Sequence, residues 1–287
     1  TVLDMATATG FTFTGTSNIT TAMSFTRTFN FGGTAGATTS NRLNINLTSG
    51  VATPTFTGSF RQINFTGSTC NPGAVGISCH GFTLASGGTY TSTNFTTVGT
   101  GTLTYTGKSI SVLNINTSGI TTTLGDAGQN ATLTLTNGTL DLAGFTLTNT
   151  TTAATAAGTK NLTFNGGTLA CSSASATAWN NANPTNFTTT AGTGTGTISM
   201  TAATAKTFVG GGSTYNCTLQ NAGAGALTIS GSNTFTTISN SVQPTTFTFT
   251  AGTTQTVTNF NVSGTAGNLD RKSTRLNSSH VSESRMP

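Results

Sequence analysis

The sequence predicts an all-β chain: a parallel β-solenoid, right-handed β-helix-like, built from short strands with Gly and Asn turns. Three observations predict it. Apolar residues come in alternating pairs such as Leu227/Ile229, Phe247/Phe249 and Phe260/Val262, with Thr, Ser or Asn between them. Period-two alternation over short runs marks half-buried strands. The runs are bounded by Gly, Asn or Pro, which suit tight turns, and the same idiom recurs along the chain.

The rhythm can be followed in order. Pairs sit at Phe11/Phe13, Phe29/Phe31, Ile45/Leu47, Ile63/Phe65, Phe82/Leu84 and Leu103/Tyr105. Their first members recur roughly every 20 residues, and periods of that order point to solenoids, propellers or arrays. The spacing suits one coil of two or three short strands. Pairs at Leu113/Ile115, Leu133/Leu135, Phe145/Leu147, Leu162/Phe164 and Ile198/Met200 continue it less evenly. In such a coil the Phe, Ile and Leu side chains stack inward on those of the next coil. Their burial is worth about 25 cal/mol per Å². Thr and Asn face outward, where β-branched residues suit the pleat.

Two segments interrupt the rhythm. Cys70–His80 (CNPGAVGISCH) reads as a loop, and Cys171–Asn186 (CSSASATAWNNANPTN) as a longer one carrying the single Trp, Trp179. Insertions in solenoids map to one face and often carry the contact surface. Trp179 has two readings, a platform stacking on a sugar or an indole tucked over the end of a coil, and the second is favoured. The solenoid is expected to span 1–269, with a possible subdivision near 171–190.

Composition narrows the function. Charged residues are 5% of the chain, against about 25% in ordinary globular proteins. Disordered chains are rich in charge and Pro, whereas this one has 18 Phe and only 5 Pro. Before residue 270 the basic residues are Arg27, Arg42, Arg61, Lys108, Lys160 and Lys206, and the acids Asp4, Asp126 and Asp141, which leaves +3 scattered singly. No basic patch follows a phosphate backbone, so nucleic acid is not an expected partner. No apolar run is long enough to span a bilayer.

The idiom stops at Leu269. Asp270–His280 (DRKSTRLNSSH) is what one reading frame of a common sequencing-library adapter encodes, and VSESRMP fits an index followed by more adapter. Asp270–Pro287 is therefore expected to be a read-through tail on a truncated frame, outside fold reasoning.

Candidate chemistry is sparse. Glycoside hydrolysis needs a carboxylate pair flanking the bond, and only Asp126 and Asp141, about one coil apart, could stack as one. With no Glu and no Lys or Arg close by in sequence, a turn role for Asp126 fits better. His80 is the one histidine before the tail, and no GxSxG elbow accompanies it. Cys70, Cys79 and His80 lack the Cys-x2–4-Cys spacing of zinc sites, so neither metal nor cofactor is expected. Cys70 and Cys79 could close a disulfide around their loop, although four cysteines allow three pairings. Cys171 and Cys217 are expected to be buried free thiols.

From Lys160 to Leu269 the wording NLTFNGGTLACSS, then GTISMTAATAKTFVGGGSTYNCTLQNAGAGALTISGSNTFTTI, then PTTFTFTAGTTQTVTNFNVSGTAGNL resembles Thr/Gly/Asn-rich structural proteins of environmental tailed phages. The earlier part shares only the style. The resemblance implies a virion component, tail-associated or host-facing, with no catalytic residues to carry over and with a distinct C-terminal segment beyond this point. Its partners would be other virion proteins and a host surface glycan, and phage fibres are often trimeric. Two other readings stand beside this one. A secreted bacterial adhesin with a passenger-like β-helix would carry a signal peptide and a translocator domain. A polysaccharide-degrading β-helix would turn over a glycan through Asp126 or Asp141.

Overall fold

A computed structural model describes the strands Phe11–Gly15, Arg42–Leu47 and Ser59–Phe65, residues 72 and 74, and residues 76–173 and 177–265. Phe29/Phe31, Asp4, Cys70 and the tail Asp270–Pro287 lie outside the described residues. Among those described there are twenty strands and no helix. The strands are parallel and stacked as a β-solenoid of about 9 turns.

Hydrogen-bonded register resolves each coil into three faces. On the first, Ile63 lies beside Phe82, Phe82 beside Leu103, and Leu103 beside Leu124. On the second, the column runs Ile77, Phe95, Leu113, Leu133, Thr152, Trp179, Phe208, Ile229 and Phe249. On the third it runs Leu147, Leu169, Ile198, Leu219, Ile238 and Phe260. Alternation drives this arrangement, because each odd-even switch along a strand sends one side chain to the core and the next to the outside.

The predicted ladder Ile63–Phe82–Leu103 is present as read. Upstream, the register sets Leu43 and Ile45 against Ile63 and Phe65, a shift of two positions from the pairing expected for Ile45/Leu47. Such a shift leaves the alternation intact, so sequence alone could not exclude it. The uneven rhythm beyond Leu103 also has a cause. Leu113/Ile115 and Leu133/Leu135 belong to the second face, Leu162/Phe164 to the first and Ile198/Met200 to the third. Leu113/Ile115 and Leu133/Leu135 stack on one another, but the later pairs fall on other faces and do not continue that column. Along the second face the coils are short and even from Ile77 to Thr152. They lengthen from Thr152 to Trp179 and again from Trp179 to Phe208, then shorten through Ile229 to Phe249. The long coils absorb the segment 171–190 without breaking the ladder, since Thr168–Cys171 and Thr177–Asn180 both pair with Thr146–Ala153.

The core is aromatic towards both ends and aliphatic between. Phe65, Phe82, Phe95, Tyr90 and Tyr105 interlock at centroid distances of 4.4–6.5 Å. Trp179, Phe187, Phe208, Tyr215 and Phe235 form a second cluster. Contrary to an all-apolar interior, Asn130 and Asn149 also point inward, in register with each other. The Tyr105 hydroxyl donates to Asn130 Oδ1 at 2.8 Å, and Asn130 Nδ2 donates to Asn149 Oδ1 at 2.9 Å. The pair lines up on successive coils and satisfies most of its own polarity. Phe145, read as inward-facing beside Leu147, is instead 39% exposed, because it closes the corner turn ahead of the strand.

Corners repeat one device. Tyr105 O accepts from Lys108 N–H across Thr106 and Gly107, Leu142 O from Phe145 N–H across Ala143 and Gly144, and Phe164 O from Gly167 N–H across Asn165 and Gly166. Both central residues of each turn have positive φ, from 48° to 85°, which is the left-handed pair of a type I′ turn.

Phe208 lies flat on Trp179 (5.5 Å, 7°) and is fully buried, so Phe208→Ala is expected to cost about 3–5 kcal/mol. Thr228→Ala, on the outward side of the neighbouring strand, is expected to stay within about 0.5 kcal/mol. Chemical unfolding of the two variants checks the assignment of faces, which similar losses would contradict.

Candidate functional site

Asp126 and Asp141 do not form a facing pair. The register sets Asp141 beside Thr123 on one side and Thr163 on the other. Asp126 reaches back one coil, where its carboxylate accepts from Tyr105 N–H at 2.6 Å and Thr106 N–H at 2.7 Å. That contact braces a strained position, since Thr106 is β-branched and has φ of 53°. Asp141 accepts from Ala143 N–H at 2.8 Å and Asn165 Nδ2 at 2.9 Å, and Asn165 Oδ1 in turn accepts from Thr193 N–H at 3.0 Å. Both carboxylates thus fasten corner turns to the coils beside them. The turn role read for Asp126 is what the geometry displays.

Trp179 is fully buried, so the sugar-platform reading is corrected here. One indole face lies against Phe208, and Nε1–H donates to the Tyr215 hydroxyl at 3.2 Å. The segment around it supplies a strand, Thr177–Asn180, which carries the indole into the core. Apolar neighbours at Phe187, Phe208 and Tyr215, all within a coil or so, are the sequence signal for that packing.

His80 sits half-buried in the strand Gly76–Thr83, and its ring packs so close to Gly99 that a Cβ there would come within 2.3 Å of it. Cys79 is a buried free thiol, and its suggested partner Cys70 lies outside the described residues. Cys171 and Cys217 are likewise buried and free. Burial raises all three thiols, Cys171 to about 12, because a thiolate there would lose its hydration. Among the described residues no three His, Cys, Asp or Glu side chains gather as metal ligands would.

What the coils do assemble is a patterned exterior. On the third face Thr146, Thr168, Thr197, Thr218 and Thr237 stand in direct register on five consecutive coils. On the second, Thr177, Thr207, Thr228 and Thr248 do the same. Neighbouring strands lie about 4.8 Å apart, so each row is a close-set line of hydroxyls and methyls. Sequence reading found the hydroxyl cover but not the rows, because a whole coil separates each member from the next. No family model, curated protein or solved structure matches the chain.

Two outcomes follow. Asp126→Ala should lower stability by about 1 kcal/mol through two freed N–H groups, with Asp126→Asn costing less because one acceptor remains; equal, negligible losses in unfolding titrations would remove the bracing role. Cys79, Cys171 and Cys217 should resist alkylation in the native chain and react on unfolding, as read by peptide mass spectrometry.

Proposed function

We propose that the chain is a non-enzymatic structural protein whose solenoid serves as a rigid spacer and an uncharged adhesive surface. Its place in this reading is a phage virion, tail-associated and facing the host, with other virion proteins and a host surface glycan as partners and a homotrimer as its assembly. The observation that carries the structural part is the unbroken parallel stack. From Gly76 onward each coil is hydrogen-bonded to its neighbours, and its outward positions are filled mainly by Thr, Ser and Asn. A ladder of this kind resists bending, because bending requires in-register strands to separate. The Thr rows supply a long, neutral, hydrogen-bonding strip suited to the hydroxyls of a polysaccharide. The placement in a virion is supported by the wording of Lys160–Leu269.

The test has two arms. Purified chain is passed over immobilised bacterial lipopolysaccharide and capsular polysaccharide, and the glycan is then assayed for cleavage. Retention without cleavage is expected, with little loss on raising salt because the surface carries few charges, and with weaker retention for the double variant Thr197→Asp/Thr218→Asp. Glycan cleavage abolished by Asp126→Asn or Asp141→Asn would replace the reading with an enzymatic one. Sequencing of the flanking DNA forms the second arm: capsid, portal or tail genes support the virion, whereas a signal peptide and translocator domain make the chain a secreted adhesin.

A further inference from the structure

Two lysines are buried in the solenoid, and among the described residues no carboxylate bonds either of them. Lys160 is 0% and Lys206 1% exposed. Lys206 Nζ donates to the carbonyls of Ala202 (2.7 Å), Gly225 (2.9 Å) and Gly223 (3.5 Å). Lys160 Nζ donates to those of Ala156, Thr185 (3.2 Å) and Asn183 (3.3 Å). The two cages obey one rule. Each lysine bonds the carbonyl four positions before itself. In the next coil it pairs with Leu227 or Phe187, and it also bonds the carbonyls four and two positions before that partner. Its backbone N–H repeats the match, donating to the carbonyl one position before the partner, Ala226 or Asn186. The local sequences correspond as well, TAAGTK at 155–160 and TAATAK at 201–206. One lysine opens a strand of the first face and the other a strand of the second, so the motif recurs at different corners.

The surrounding pattern shows what such a device answers. Alternation has a period of two, so a coil slipped by two positions keeps every side chain on its own side. A slip around Lys206 in one direction would set Phe208 beside Leu227 in place of Ile229 and Thr207 beside Ala226 in place of Thr228, whereas the opposite slip would set Phe208 beside Gly231 and Thr207 beside Ser230. In the first, apolar would still meet apolar, and small would still meet small. The slip would, however, displace the Gly223 and Gly225 carbonyls by about 6.6 Å along the strand, leaving a buried ammonium with the Ala202 carbonyl of its own coil as the one remaining partner of the three, which is unfavourable. The corner is fitted to this contact, since a Cβ on Gly223 or Gly225 would strike the carbonyl of Ala202 or Thr204 at 2.0 or 1.8 Å.

We propose that Lys160 and Lys206 are register keys, interior cations that select one pairing between coils whose hydroxyl and apolar pattern would accept several. Burial draws the Lys206 amine down to about 8, still above neutrality, so it enters its cage as an ammonium at pH 7. The segments forming that cage, 201–205 and 221–227 together with Thr245, contain no ionisable side chain, and neither do the strands Thr177–Asn180 and Leu227–Ser230 on either side. The charge is therefore balanced by carbonyl dipoles alone and adds selectivity at some expense in stability, as buried polar groups can.

Cysteine pairs read the register directly. Directly paired positions on neighbouring strands fall inside the Cα range of a disulfide, and positions offset by two fall outside it. With Lys206 present, Thr207→Cys/Thr228→Cys should close under mild oxidation, while Thr207→Cys/Ser230→Cys and Thr207→Cys/Ala226→Cys stay open. Adding Lys206→Met should let an offset pair close to a substantial fraction. Asn161→Cys with Thr188→Cys, with and without Lys160→Met, provides the same readout at the second site. Exclusive closure of the native pairs in both methionine variants, or outright failure of both to fold, would overturn the proposal. A second readout is the pH slope. Between about 8 and the ordinary lysine value of 10.5 the unfolded chain holds more protons than the folded one. Lys206 therefore contributes a rise of stability with pH across that window, against the fall contributed by the three buried thiols, and Lys206→Met should make the net slope more negative; an unchanged slope would place Lys206 outside the cage and count against the key.

Discussion

Each coil of this protein is held by the one beneath it through parallel, in-register pairing, and every other feature depends on that contact. A single coil of about twenty residues buries too little to stand alone. Stacked, its inward residues meet equivalents such as Leu113 on Leu133 or Ile198 on Leu219, and the core becomes a set of short columns. Stability is then set coil by coil. The aromatic cluster around Trp179 lies where the coils lengthen, between Thr152 and Phe208, which is where a longer chain must be ordered at greater entropic cost. Large, well-packed rings are an apt offset at that point.

A solenoid corner raises a second problem, because a turning backbone leaves N–H and C=O groups that no strand can pair. The charged side chains are spent there. Between residues 76 and 265 the described chain has five of them: Lys108, Asp126, Asp141, Lys160 and Lys206. Four of the five bond backbone groups at corners. The carboxylates take N–H donors of left-handed turns, and the ammoniums take carbonyls. Asn does the same work without charge, as Asn165 and Asn233 show by accepting from Thr193 and Gly212 N–H. The low charge of the sequence is thus a consequence of use, with ionic groups confined to the places where backbone polarity is stranded.

Much of the fold was legible because alternation is a local property. Ile63, Phe82 and Leu103 could be recognised as a ladder since each pair stands at the same point of its coil. The three-faced arrangement was not legible, because Leu113/Ile115 and Leu162/Phe164 look alike in sequence while lying on different faces. Trp179 illustrates the limit in another way. An indole among Asn and Ala residues allows a surface platform as well as the favoured tucked ring, and the register with Phe208, a full coil further on, decides for burial. Lys160 and Lys206 escaped for the same reason. A lysine among Ala and Thr resembles a solvated surface charge, and most of the acceptors that hold it belong to the next coil. The repeated TAAxxK wording was the available signal, and it acquires meaning only once two coils are laid side by side.

A repetitive exterior carries an inherent tension. Rows of identical Thr residues make a uniform face, and that uniformity weakens the distinction between the native pairing and one displaced by two positions. Thr207, Thr228 and Thr248 would be nearly as well matched after such a shift. Selectivity has to come from positions that break the pattern, and those must be inside, where a mismatch cannot be relieved by water. Asn130 against Asn149 is one such position, since a displaced Asn130 would leave its amide facing an aliphatic wall. The interior polar groups therefore belong to the same design as the plain exterior. The more uniform the outer rows become, the more the register must be written in the core.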